Sequence, residues 1–357
     1  PRHRYYENDA IKTDWNIYAK LTWPIFRNGS AFVDLQYRRV DYKFEGLDED
    51  GTRVDQKVNL PFFNPKAWIS YEFGNGWSTY ASLAVAHKEP NRDDYVETSP
   101  VSRPEPEELI NLEAGADKRA SKYRLGVNFY YMYYNDQLIQ TGEINDVGAY
   151  TRRNVDNSYR LGVELQGKWN PDNPLFVESF LTLSRNKIEN VDYYIDNWAT
   201  GEQISGSLDK TNIPFSPEIN GSVSLGWKWD FNDENKGMPL TLSGALTGKY
   251  VGRQYLDIRS LESASLDPYT YIDGLLELST KEGPFSKITL KLMVRNILDA
   301  QYSTNGWLYP FKSPEYDPRP DDPYVQREDE MDNSFYHQKG LYPQAGRNAM
   351  LGLRIDF

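Results

Sequence analysis

Apolar residues return at every second position along most of this chain. The closing run shows it plainly: Leu351, Leu353, Ile355 and Phe357 share one parity, and Met350, Gly352, Arg354 and Asp356 hold the other. An amphipathic helix would bring apolar residues back every three or four positions, so a sustained period of two describes a strand with one apolar face. The same alternation sets Trp15, Ile17, Ala19, Leu21 and Trp23 against polar neighbours, and recurs at Ala31 to Tyr37, Tyr123 to Tyr131, Tyr159 to Leu165, Val223 to Trp229 and Ile288 to Val294.

Composition narrows what such strands can build. Mean hydropathy is -0.72, and no apolar run approaches the roughly 20 residues that a membrane helix needs. A helical membrane protein is excluded. Aromatics make up 14% of the chain with 27 Tyr, a bias that suits strands and water–lipid boundaries. There is no cysteine, so neither a disulfide framework nor a thiolate metal site can form. A net charge of -12 without a basic block argues against a nucleic-acid partner. Residues 1–9 are polar and lack the apolar stretch of a signal peptide, so an export signal is expected elsewhere.

The connections alternate in length. Short polar turns are predicted at 27–30, where Asn28-Gly29 is a strong hairpin signal, and at 74–76, 119–122, 170–174, 230–238 and 281–284. Long loops are predicted at 44–65, 88–107, 139–155, 187–216, 252–270 and 303–345. Outer-membrane barrels have this asymmetry, with short turns on the periplasmic side and long loops outside, and soluble sandwiches do not. Trp15, Trp23, Trp77, Trp169, Trp227 and Trp229 fall near strand ends, where an aromatic girdle sits. The pattern predicts an all-β chain forming a transmembrane antiparallel β-barrel segment of about thirteen strands, each roughly 9 to 14 residues long.

Several short motifs resemble those of the TonB-dependent outer-membrane receptors. Asn296-Ile297-Leu298-Asp299-Ala300-Gln301-Tyr302 is similar to the family's N-hydrophobic-hydrophobic-D-x-x-Y box, and Gly346-Arg347, Gly352 and Phe357 to its closing pattern. His87-Lys88-Glu89-Pro90, then Pro106-Glu107 and Asn111-Leu112-Glu113-Ala114-Gly115, resemble a loop-and-strand pair of the family. Asn154 with Arg160-Leu161-Gly162-Val163-Glu164, and Phe215-Ser216-Pro217-Glu218, resemble further barrel strands. Gly352, Ile355 and Phe357 also resemble the terminal signal read by the barrel assembly machinery, with Met350 where a polar residue is usual.

The resemblance implies a plug and further strands that complete a barrel of about 22 strands. An open strand edge inside lipid leaves unpaired backbone groups, so residues 1–357 are expected to be the C-terminal portion of such a barrel, without a plug, with Pro1 in an outer loop. It further implies a Gram-negative outer-membrane location, contact with lipid, energy from the TonB complex through the missing N-terminal part, and a surface lipoprotein as a further partner. The implied activity is import of a scarce nutrient, ordered as a metal chelate (ferric siderophore, haem or cobalamin) before a glycan or peptide. A passive porin and a soluble β-sandwich or propeller are the competing classes.

No catalytic constellation, metal centre or resident cofactor is expected. His3, His87 and His337 lie far apart and lack H-E-x-x-H spacing. The acidic groups at 48–50, 93–94, 321–322 and 328–330 read as solvated loops and lack EF-hand spacing. Ligand candidates are the loop aromatics Tyr193, Tyr194, Trp198, Trp307, Tyr309, Phe311, Tyr324, Phe335 and Tyr336, with His87 at a strand exit. Each ring offers a rigid apolar face, and the tyrosines and tryptophans add a polar tip. Arg124, Arg160, Glu164, Lys168, Lys249, Lys291 and Arg295 are expected on the inner parity, as latches to a plug.

Overall fold

Every predicted alternating run is a strand in the computed structural model, which describes all residues except 1–6, 48–50, 52, 97–102, 145–149, 172–173, 232–238 and 283–284. Pro1, the acidic group at 48–50 and the centres of three predicted turns lie outside the described residues. The first half contains β1 (Glu7–Ile25), β2 (Gly29–Leu47), β3 (Gln56–Gly74), β4 (Trp77–Lys88), the short helix α1 (Arg92–Val96), β5 (Glu107–Arg119), β6 (Tyr123–Ile144) and β7 (Tyr150–Trp169). Then come β8 (Leu175–Asn197), β9 (Glu202–Asn212), β10 (Ile219–Phe231), β11 (Leu240–Val251), and the small pair β12 (Gln254–Tyr255) and β13 (Ser265–Leu266). The chain ends with β14 (Tyr269–Glu282), β15 (Phe285–Arg295), β16 (Ser303–Lys312), β17 (Val325–Arg327), β18 (Phe335–Pro343) and β19 (Asn348–Asp356).

The wall is an antiparallel meander. Strands β1 to β8 pair in sequence, and β8 then pairs with β10, β10 with β11, β11 with β14, β14 with β15 and β15 with β19. That agrees with the number of strands predicted from alternation. The remaining strands belong to the long loops. Among the described residues β1 pairs only with β2 and β19 only with β15, so each keeps one open edge.

The first turn differs from its prediction in detail. Ile25 pairs with Gly29, so Gly29 is already in the ladder and the reversal falls on 26–28, with Phe26 in the left-handed region at φ 55°. A Cβ on Gly29 would lie 2.5 Å from the Ile25 carbonyl oxygen; close approach, rather than turn geometry, requires this glycine. The next turn follows the expected chemistry, with Asn75 (φ 48°) and Gly76 (φ 75°) both left-handed, as a two-residue hairpin prefers.

Register lines the apolar parity into belts across the sheet. Leu83 lies opposite Leu112, Leu112 opposite Tyr131 and Tyr131 opposite Leu161. At the other end Leu276 faces Leu292, which faces Leu351. These residues stay exposed: Leu112 keeps 45% of its surface and Leu351 72%. A water-soluble sandwich would seal such a face, whereas a barrel wall turns it to lipid. The predicted inner parity is correct, and several of its charges pair within the wall: Arg124 with Asp117 at 3.0 Å, Lys168 with Glu178 at 2.5 Å and Lys291 with Glu277 at 3.2 Å.

The buried core lies at the long-loop end. Strands β6 and β8, at 22 and 23 residues, run well past the roughly 9–11 that cross a bilayer. Ile139, Ile188 and Val191 of their upper parts form a cluster with Val155 of β7 and the loop residues Ile213 and Ile258. A second cluster joins Val40, Tyr42, Phe44, Val58 and Phe62 to Tyr95 of α1, and a third joins Phe311, Val325 and Tyr336. The loops are therefore packed bodies with their own apolar cores.

Candidate functional site

Two left-handed residues set up the outer end of the sheet. On β8, Asn186 and Ile188 are buried below Asn190 (φ 52°), and Val191 and Ile195 above it, so the buried parity changes at that residue. Asp136 (φ 55°) stands at the matching point of β6, above which Ile139 and Thr141 are buried. Asn and Asp tolerate this conformation better than most side chains do. The upper strands are thereby rotated relative to the lipid belt beneath.

That rotation frames a cavity of ≈ 520 Å³ between the upper parts of β6, β7 and β8 and the loops at 213–215, 256–259 and 306–310. Tyr193, Tyr194 and Trp307 line it beside Ile139, Ile213, Leu256 and Ile258, with Arg152, Gln140, Thr141 and Asp257 as polar members. Trp307 keeps 48% of its surface exposed. The Thr141 hydroxyl is buried without a hydrogen-bond partner among the described residues. Arg152 lies 3.6 Å from Asp94, a loose pairing that leaves its side chain 39% exposed. Apolar walls with a few convergent polar groups characterise small-molecule sites.

One wall is held by a buried charge cluster. Arg259 donates to both carboxylate oxygens of Glu328, at 2.6 and 2.8 Å, and through Nε to Asp257 at 2.6 Å. His337 Nδ1 lies 3.2 Å from Glu328 Oε1, and its Nε2 is buried without a partner among the described residues. Burial pushes the Glu328 carboxyl up, but the His337 and Arg259 contacts outweigh it and hold the group below the usual range. The bidentate pair ties the loop after β11 to the loop between β17 and β18 and commits Arg259 to structure.

The other predicted aromatics divide. Trp198 stacks on Phe311 at 3.9 Å and 8°, and Phe311 stacks in turn on Tyr309 and Tyr336. Trp198 Nε1 donates to the Tyr309 hydroxyl at 3.2 Å, and that hydroxyl donates to Asp196 at 2.8 Å. Here β16 runs briefly parallel to the end of β8, a departure from the all-antiparallel expectation. These rings join two outer hairpins. Phe335 is buried beneath Lys312, while Tyr324 remains 75% exposed, away from the cavity lining. His87 stacks on Phe62, its Nδ1 2.9 Å from Asn64 and its Nε2 3.2 Å from Glu108. Both ring nitrogens are engaged, and the residue is not gathered with the loop aromatics.

The motif residues hold backbone in place. Asn296, at φ 50°, donates to the Ala300 carbonyl and accepts from the Ala300 N–H, each at 2.9 Å. Asp299 accepts from the Arg347 N–H at 2.7 Å, and a Cβ on Gly346 would come within 2.8 Å of the same carboxylate. Tyr302 stacks on Tyr269 and Tyr271. Glu107, next to Pro106, accepts from the Leu138 N–H at 3.1 Å, and Asn154 exchanges hydrogen bonds with both backbone groups of Glu105. At the end of β19, Gly352 lies opposite Lys291 and Ile355 opposite Ile288, while Phe357 packs edge-on against Phe285. Sequence reading missed Arg152, Asp257 and Arg259, and its solvated-loop reading of 93–94 and 328–330 fails at Asp94 and Glu328, which are buried; only the pairing of separate loops brings these groups together.

A meander with a lipid-facing apolar belt and packed loops at one end defines a transmembrane β-barrel of the outer-membrane type. The chain belongs to the TonB-dependent receptors: the family model described as TonB dependent receptor-like, beta-barrel matches residues 1–297. Three solved receptors share the fold. The ferric-catecholate import receptor Fiu from E. coli K12 superposes with a TM-score of 0.66 at 15% identity, over 98% of this chain and 45% of that one. The ferric yersiniabactin uptake receptor FyuA from Yersinia pestis gives 0.64 at 18%, over 99% and 47%. The siderophore receptor PiuA from Acinetobacter baumannii gives 0.69 at 14%, over 97% and 43%. The chain thus spans less than half the length of each.

Proposed function

We propose that this chain is the C-terminal part of a Gram-negative outer-membrane receptor that binds a metal chelate between its outer loops for TonB-energised import. The cavity lined by Tyr193, Tyr194, Trp307 and Arg152 carries the reading. Flat rings suit the aromatic or conjugated arms of a chelate, and a partly free guanidinium suits its negative charge. The names of the three similar receptors favour the ferric siderophore class. The open edges of β1 and β19 support completion by further strands and a plug, since unpaired backbone is costly in lipid. The barrel assembly machinery and a surface lipoprotein are further partners in this reading, on the family likeness alone. The reaction asked of the protein is binding and release, with no bond made or broken.

The test is equilibrium binding of a panel of ferric siderophores, haem, cobalamin and oligosaccharides to the complete receptor, with W307A and R152A. One iron chelate is expected to bind best, and each variant to weaken it by about tenfold. Selective binding of an oligosaccharide would replace this reading with the glycan alternative. Passive ion conductance without ligand binding would replace it with a porin.

A further inference from the structure

The lipid-facing surface carries a feature that a plain apolar belt does not need. Leu183, Arg185 and Lys187 share one parity of β8, and Leu183 belongs to the belt, opposite Val163 on one side and Ile219 on the other. Arg185 lies opposite Leu161 of that belt and Lys187 opposite Tyr159 beyond it, both on the long-loop side of Leu183. Lys210 of β9 joins them, its ammonium 5.0 Å over the ring of Tyr159, which lies opposite Lys187. Glu189 pairs with Lys210 at 3.2 Å, and Glu218 lies 3.9 Å from Lys187. Arg185 is exposed and has no ion-pair partner among the described residues. Three cations against two carboxylates leave this spot positive in a chain of net charge -12.

Below the cations the belt is furrowed. Gly167, Ser179, Gly221 and Gly248 occupy the lipid-facing parity of β7, β8, β10 and β11, where neighbouring positions carry Leu165, Leu181 and Val223. The missing side chains open a groove of ≈ 810 Å³ with almost wholly apolar walls. A Cβ placed on Gly248 meets nothing within 4 Å. Leu181 of the groove stands roughly 13 Å down β8 from Arg185, at about 3.3 Å per residue.

We propose that this surface holds one phosphorylated, acylated lipid of the outer leaflet, with its headgroup on Arg185, Lys187 and Lys210 and an acyl chain in the groove. Bulk lipid covers any apolar belt and requires neither small residues nor charge. A positive crown above a furrow matches an amphiphile with an anionic head. A free anion would gain nothing from the apolar groove beneath.

The experiment measures lipid phosphorus and acyl chains retained by the complete receptor after exhaustive detergent washing. It compares the wild type with R185Q/K187Q/K210Q and with G248L, accepting only protein that migrates as a folded barrel before heating. The wild type is expected to retain about one lipid, and each variant to lose at least about fivefold of it. G248L fills open space, so it reads the groove even where the charge variant fails to fold. Equal retention in the wild type and G248L overturns the proposal. So does phosphorus that inorganic phosphate washes away while no acyl chain is released, which identifies a free anion.

Discussion

The Arg347 backbone N–H donates to Asp299 Oδ1 at 2.7 Å, across 48 residues of chain. This bond closes the longest outer loop at its base: β15 ends at Arg295 and β19 begins at Asn348. Asn296 completes the clasp by pinning Ala300 and reaching the Ala345 carbonyl at 3.4 Å. The two motif boxes are thus two halves of one fastening.

Asn296 is 2% exposed and makes hydrogen bonds to backbone on both sides of the clasp. N296A therefore leaves buried backbone groups unsatisfied, at a cost of about 1–3 kcal/mol. Gly346→Ala pushes a methyl onto the carboxylate that receives the Arg347 N–H. Both are expected to lower the heating temperature at which the barrel loses its compact electrophoretic form, with unchanged lipid-facing surface.

Glu328 is fully buried between Arg259 and His337. E328A leaves the buried guanidinium with Asp257 alone and is expected to cost about 3–5 kcal/mol, while D257N/R259M/E328L, which removes all three charges, should be close to neutral. Hydrogen exchange over 256–259 and 325–337 reads the difference. The single variant should expose both loops together and the triple variant should protect them.

Trp198 and Trp307 are nearly equally exposed but do different work. Trp198 stacks on Phe311 and fastens two hairpins, a contact worth about 0.5–1.5 kcal/mol beyond its area. Trp307 lines the cavity. W198A should raise proteolytic cleavage of the loop at 313–334 while changing cargo affinity by less than about twofold, and W307A should do the reverse.

Glu89 joins Lys12 of β1 and Arg38 of β2 to the loop after β4, at 2.7 and 2.8 Å. Burial pushes its carboxyl up, but the bonds from Arg38 and Lys12 prevail and hold it at about 2, from an ordinary 4.5. A carboxylate lowered on folding contributes stability that is complete above pH 4.5 and lost as pH falls toward 2. Exchange protection of α1 and the upper part of β2 should fall across that window in the wild type and show no such step in E89Q.

The strand count, the lipid-facing parity and the split between short turns and long loops were legible in the sequence, because each strand writes its own two-sided environment into consecutive residues. Leu351, Leu353 and Ile355 need no partner to announce which face they share. The motif boxes were legible as a family likeness, but their work as a clasp was not, since Asp299 and Arg347 meet only when the loop between them closes. The loop aromatics could be named but not sorted: Tyr193, Tyr194 and Trp307 belong to the lining of a cavity, while Trp198, Tyr309, Phe311 and Tyr336 pack on one another. Left-handed Asp136 and Asn190 also rotate the upper strands, which breaks the alternation by which faces are read. Arg259 and Glu328 stand 69 residues apart with nothing local to mark them as a pair. A pattern of period two reports the solvent on either side of a strand; which distant loops touch is set by the register of the paired strands, and that exists only in three dimensions.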